Sequence, residues 1–198
     1  MLRVIGMGPG DIKYVTPAAV EKIQASCKVL AFGRISESAE KIKRPIIKIG
    51  KVHEILEHMR GEEDIAVLAS GDPCFYGILA YLQKHKITVD EVVPGLSSFQ
   101  YMMARLKKSW HHAQLVSFHG REDRLERISQ NRLSVVLTDH QNTPQVLSEM
   151  LYQKGVRGKI YAGFNLSYPD EHIIVKNIGG PISGHSALAV VVIENEMA

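Results

Sequence analysis

The chain has 198 residues, 45% of them hydrophobic and 23% charged, a balance that suits one compact globular domain or two small, closely packed ones. Its 24 basic and 21 acidic residues nearly cancel to a formal net charge of +3. That argues against a nucleic-acid binder and leaves room for an acidic small-molecule ligand.

Short apolar runs alternate with helical patterns through the first half. Leu2–Ile5, Lys28–Ala31, Ile46–Ile49, Ile65–Ala69 and Val89–Val93 read as strands. Thr16-Pro17 opens a helix, with Thr16 as N-cap and Pro17 at the first helical position. Further helices are expected at His53–Met59, Phe75–Lys84 and Ser97–Leu106. Several strands are apolar without alternation, as expected where helices cover both faces of a parallel sheet. The polar stretch Lys107–Ala113, which holds the single Trp, places a domain boundary near residue 110: an N-terminal α/β domain over 1–110 and a C-terminal α/β domain over 111–198. The second half continues with strands Gln114–Ser117 and Leu133–Leu137, helices at Arg124–Gln130 and Pro144–Tyr152, and strands Lys159–Phe164, His172–Lys176 and Leu188–Ile193. The last two strands leave little room for a helix between them, so antiparallel pairing is expected near the C-terminus. The fold class is therefore α/β, the first sheet mostly parallel and the second mixed.

Cys27 and Cys74 read as reduced thiols, and no Cys/His spacing resembles a zinc site. No apolar run approaches a membrane span and no signal peptide precedes the first strand, which favours the cytoplasm.

Three glycine-containing loops follow strands of the first half: Gly6-Met7-Gly8-Pro9-Gly10-Asp11, Ser70-Gly71-Asp72-Pro73-Cys74-Phe75-Tyr76-Gly77 and Pro94-Gly95-Leu96-Ser97-Ser98. Open α/β sheets bind ligands at the carboxyl ends of their strands, where all three loops would converge. The first fails as a dinucleotide fingerprint, because Pro9 and Asp11 intrude and the helix starts only near Thr16. Asp72 has two readings: a carboxylate that accepts from a ribose or an ammonium, or a cap on a helix starting at Pro73. Ser97 and Ser98 either cap the next helix or face a ligand. In the second half, His119 and Arg121 flank Gly120 at a strand end, where Arg suits carboxylate recognition. Glu171, in the loop Asn165–Glu171, reads as an exposed residue at a strand start, and His111-His112 as a surface pair. No nucleophile–base arrangement is present, which points to an enzyme that aligns two ligands, as methyl transfer requires.

Taken in order, Gly6–Asp11, Gly71–Pro73, Pro94–Ser98 and Asn165–Glu171 resemble the motifs of the tetrapyrrole (corrin/porphyrin) methylase family over nearly the whole chain. SGDPCFYG at 70–77, VSFHGR at 116–121 and the short length bring the chain nearest to the branch that methylates C5 of cobalt-precorrin-7 in cobalamin synthesis. The resemblance implies two α/β domains with a cleft between them and S-adenosylmethionine as methyl donor. Pro9, Gly71, Asp72, Phe75, Ser97 and Ser98 are implied as donor contacts, joined by Thr138, Gly163 and His185. His119 and Arg121 are the candidates for holding carboxylates of a corrinoid substrate, and Asp72 and His119 the candidates for proton transfer. Any cobalt belongs to the substrate. The resemblance also implies a homodimer and a separate C15-methylating and decarboxylating enzyme. Alternatives are another acceptor within the family or a non-catalytic S-adenosylmethionine sensor.

Overall fold

The computed structural model describes residues 1–59, 64–119, 124–183 and 189–198. Among these, the chain forms two five-stranded sheets and divides into two compact units, Met1–Ser98 and Phe99–Ala198.

In the first unit, strands β1 (Leu2–Gly6), β2 (Lys28–Phe32), β3 (Ile47–Ile49), β4 (Ile65–Ala69) and β5 (Glu91–Val93) lie in the order β3-β2-β4-β1-β5, and every pairing is parallel. The unbroken apolar strands have a direct explanation in packing. Ile5, Val29, Ala31, Ala66 and Leu68 join the core of helices α1 (Pro17–Ala25) and α2 (Ile35–Ala39), with Ala19, Ile23, Ile35 and Ala39. Their chain neighbours Leu2, Val4, Leu30, Ile65, Val67 and Ala69 pack instead with Ile55 of α3 (Glu54–His58) and Leu82 of α4 (Ile78–Lys84). Successive side chains of a strand point to opposite faces, so a sheet covered on both sides needs apolar residues at every position. Each large aliphatic side chain so buried contributes about 1.5–3 kcal/mol.

The strand order also locates the ligand edge. The connection from β1 leads to β2 on one side, and that from the adjacent β4 leads to β5 on the other. Adjacent strands whose connections leave in opposite directions form a switch point, with a crevice at their carboxyl ends. The amino ends are fastened separately. Arg3 bonds the carboxylate of Asp64 and reaches Glu91 at 2.7 Å, and Lys22 reaches Glu91 at 2.8 Å.

Helix starts follow local chemistry. Thr16 caps α1 through Oγ1, which accepts from Ala19 N at 3.1 Å, with Pro17 at the first position. Thr143 and Pro144 do the same for α7 (Pro144–Gln153). A 3-10 turn at Ile12–Tyr14, capped by Asp11, and the short α2 carry no periodic apolar signal strong enough to be read from sequence.

The second unit begins in the first turn of α5 (Ser98–Leu106). The division thus falls at the start of α5, upstream of the polar stretch that marked it in the sequence. Met102 of α5 packs on the second sheet at Gly163, and the Phe99 ring meets Trp110 edge to face at 5.0 Å. Strands β6 (Gln114–Ser117), β7 (Leu133–Leu137), β8 (Gly158–Phe164), β9 (His172–Asn177) and β10 (Ala189–Asn195) lie in the order β6-β7-β10-β8-β9. Only β6 and β7 pair in parallel, and the rest pair antiparallel. The antiparallel expectation holds in an altered form: β9 pairs with β8, and β10 inserts between β7 and β8 rather than against β9. Val116, Val136, Ile160, Ala162, Phe164, Val191 and Ile193 build the core of one face with Ile128 of α6 (Glu126–Ser129) and Leu147 and Leu151 of α7.

Candidate active site

The three loops of the first unit meet where β1, β4 and β5 end. Gly8 and Gly71 exchange backbone hydrogen bonds, Gly8 N donating to Gly71 O at 3.2 Å and Gly71 N to Gly8 O at 2.8 Å. These two N–H groups are consumed by each other, so they form no phosphate cradle. A Cβ on Gly6 would lie 2.5 Å from Gly95 N and 2.7 Å from Gly71 O. A Cβ on Gly95 would lie 2.9 Å from the Cα and C of Gly6 and closer still to Gly71 O. Three backbones touch at a point that leaves no room for a side chain on Gly6 or Gly95, which is the physical requirement behind glycine at those two positions. Gly71 also holds φ at +65°, and its missing Cβ would sit 3.5 Å from Ser97 Cα.

This junction gathers the predicted residues of the first half. Pro9 and Ser97 are buried, and Asp72, Phe75 and Ser98 are half-buried. Asp72 is not a helix cap: α4 begins only at Ile78, after Gly77. Its Oδ1 instead accepts from Cys74 N at 2.9 Å, and its backbone carbonyl accepts from Phe75 N at 3.1 Å. A carboxylate offers about four acceptor positions, so this side-chain turn fixes Asp72 while leaving acceptor capacity at the strand end. The Phe75 ring stands edge-on to Tyr76 at 4.8 Å, and Tyr76 holds a left-handed φ of +50°. Desolvation, followed by the Asp72 carboxylate, pushes the Cys74 thiol above its ordinary value, which disfavours a thiolate nucleophile.

In the second unit the register places the candidates along one sheet edge. His119 follows β6, Thr138 follows β7, Gly163 precedes the last residue of β8, and β10 starts at Ala189, opposite Phe164. Arg121 and His185 lie outside the described residues. Thr138 has a structural role. Its Oγ1 donates to Ala189 O at 3.0 Å and accepts from Ala189 N at 2.7 Å, prolonging the β7–β10 ladder. Gly163 has one too, since a Cβ would lie 2.7 Å from Met102 Sδ and 2.8 Å from Leu166 Cδ2. His119 is exposed. Asp139, in the turn that follows β7, has its carboxyl held below the ordinary range first by the Asn142 N–H, with help from the Gln141 N–H and the Asn142 side chain. Asp-x-x-Asn after a strand is a turn signal, and Asp139 closes that turn through the Asn142 N–H.

Glu171 corrects the sequence reading. It is not an exposed residue at a strand start: its side chain is 14% exposed and pairs with Arg105 of α5 at 2.8 Å, and its other oxygen accepts from Ser167 N at 2.7 Å. Burial pushes its carboxyl up, but hydrogen bonds from Tyr101, Ser167 N–H and Arg105 outweigh that and hold it below the ordinary glutamate range. The loop so fastened carries two residues with left-handed backbone, Asn165 at φ +47° and Ser167 at φ +71°. His111 and His112 are exposed as expected. Among the described residues, no group of three or more His, Cys, Asp or Glu could hold a metal ion, and no helix is long and apolar enough to cross a membrane.

Residues 1–181 match the model of the Tetrapyrrole (Corrin/Porphyrin) Methylases, and the chain belongs to that family. Among its relatives is a probable cobalt-precorrin-7 C(5)-methyltransferase of Methanocaldococcus jannaschii, 29% identical, with 99% of each chain covered. The cobalt-precorrin-7 C(5)-methyltransferase of Salmonella typhimurium is also 29% identical, with 98% of this chain and 99% of the relative covered. A solved precorrin-6Y methylase of cobalamin biosynthesis from Archaeoglobus fulgidus superposes with a TM-score of 0.76 at 25% identity, covering 100% of this chain and 99% of that one. The fold is shared with uroporphyrin-III C-methyltransferase of Thermus thermophilus, solved with S-adenosylhomocysteine, at a TM-score of 0.77, 22% identity and 96% coverage of each chain.

Proposed function

We propose that this chain is an S-adenosylmethionine-dependent C-methyltransferase of cobalamin biosynthesis that methylates C5 of cobalt-precorrin-7. The observation that carries this reading is full-length similarity to two relatives of that name. Relatives named as cobalt-factor III C(17)-methyltransferases align over only about half of the chain, 50% in one case.

The strand-end junction fits the methyl donor. Gly6, Gly71 and Gly95 bring backbone together with no side chain between, and Asp72 stands there with acceptor positions to spare for ribose hydroxyls or an ammonium. Pro9, Phe75, Ser97 and Ser98 complete the donor set from the first unit; Thr138, Gly163 and His185 are proposed to add contacts from the second. S-adenosylmethionine supplies an already activated methyl group. The residues here are left with binding, orienting the acceptor carbon and excluding water. His119 and Arg121 are proposed to hold acceptor carboxylates. The family resemblance further supports a cytoplasmic homodimer and a separate enzyme for the C15 step.

Calorimetry with S-adenosylhomocysteine tests the donor site. Binding is expected, and Asp72→Ala should weaken it about tenfold or more, the range of a lost hydrogen bond to a charged group. A folded wild-type chain that does not bind S-adenosylhomocysteine rejects the reading. Transfer of labelled methyl to cobalt-precorrin-7, with uroporphyrinogen and other precorrins as competing acceptors, decides the substrate.

A further inference from the structure

Arg105 differs from an ordinary surface arginine in how it is held. Its partner Glu171 is a mostly buried carboxylate, fixed by Ser167 N–H and Tyr101 as well as by Arg105. Glu171 divides its oxygens: Oε1 takes Arg105 Nε at 2.8 Å and Oε2 takes Ser167 N at 2.7 Å. The paired fork that arginine usually forms with a carboxylate is therefore not made. Only Nε is engaged, and among the described residues neither terminal nitrogen has a protein partner, on a side chain 56% exposed. Arginine presents five donors in a rigid planar fork matched to carboxylates. Here one edge anchors the plane and the other faces outward. The anchor sits immediately before β9, at the sheet edge where the second unit's other candidates lie.

We propose that Arg105 is a carboxylate receptor for the acidic acceptor, and that Glu171 is a positioning residue that aims it. The proposal rests on the corrinoid reading above, because that acceptor bears several acetate and propionate groups. It adds a contact that neither His119 nor Arg121 supplies. It also accounts for the Asn165–Glu171 loop, in which Glu171 ties the left-handed Ser167 and the guanidinium into one fixed unit.

The test uses the full chain and two probes, a cobalt corrinoid with free acetate and propionate carboxylates and the same corrinoid as its methyl esters. Arg105→Gln should weaken the free acid about tenfold, the scale of one charge-assisted hydrogen-bond pair. Ester affinity and S-adenosylhomocysteine affinity should stay within about twofold, too small a change to register as a lost charge-assisted bond. Arg105→Lys should recover less than half of the lost affinity, because an ammonium keeps the charge without the fork. Glu171→Gln should reduce discrimination between acid and ester, which a merely structural role would leave in place while lowering both affinities together. Equal acid affinity in Arg105→Gln and wild type overturns the Arg105 assignment and leaves the enzyme reading standing. A wild type that binds S-adenosylhomocysteine but not the corrinoid acid overturns the corrinoid reading, and this proposal with it.

Discussion

Gly95→Ala probes whether the strand-end junction is as tightly closed as described. The added Cβ would lie 2.9 Å from the Cα and C of Gly6 and nearer still to Gly71 O. All three obstacles are backbone atoms, of Gly6 at the end of β1 and of Gly71 in the loop after β4, so no side chain can rotate away. Gly95 has no left-handed φ, which makes the perturbation steric rather than torsional. Overpacking of a well-packed region costs about 1–3 kcal/mol, occasionally more, and a clash with two backbone segments puts this substitution at about 3 kcal/mol. Relief would come from moving the end of β5 away from Gly6 and Gly71, which also displaces Ser97 from Gly71 and the Asp72 that follows it. S-adenosylhomocysteine affinity should therefore fall by more than tenfold, about 1.4 kcal/mol. The control is Gly50→Ala, where the added Cβ meets only Glu54 Oε1 at an ordinary 3.6 Å. Urea unfolding and calorimetry on both variants provide the readout. Gly95→Ala matching Gly50→Ala in stability and ligand affinity would refute the three-backbone junction.

Thr138→Val should cost about 1–3 kcal/mol, because the Ala189 N–H loses its acceptor, while Thr138→Ser retains most of the stability; urea unfolding checks both. Glu171 has its carboxyl below the ordinary glutamate range, so its contribution is complete above the unfolded-state value and is lost as pH falls through the lower folded value. Glu171→Gln should accordingly flatten the acid limb of a stability–pH profile measured by denaturation at stepped pH; an unchanged acid limb contradicts the Arg105–Glu171–Ser167 arrangement. Thr16→Ala should lower stability by about 1 kcal/mol through loss of the bond to Ala19 N, read by thermal or urea unfolding.

The donor loops were legible because glycine at a strand end is a local demand. Backbone approach and positive φ admit few other residues, so Gly6, Gly71 and Gly95 mark the edge directly. Capping by Thr16 was legible for the same reason. Glu171 was not, because its meaning lies in Arg105 and Tyr101, some seventy residues away in the chain. The loop also hid Asp72's turn: Pro73 looked like a first helical residue, but a curled segment with Tyr76 at positive φ delays α4 to Ile78.

By itself, the sequence determined an α/β chain with a doubly covered parallel sheet first and antiparallel strands last, since both follow from residue periodicity and turn chemistry over a few neighbours. The ordered motifs also placed the family. Only the tertiary structure decided that β10 inserts between β7 and β8, that α5 belongs with the second unit, and that Thr138 and Gly163 hold that unit together. Strand order and long-range packing depend on which distant surfaces bury one another, and no local pattern records that choice.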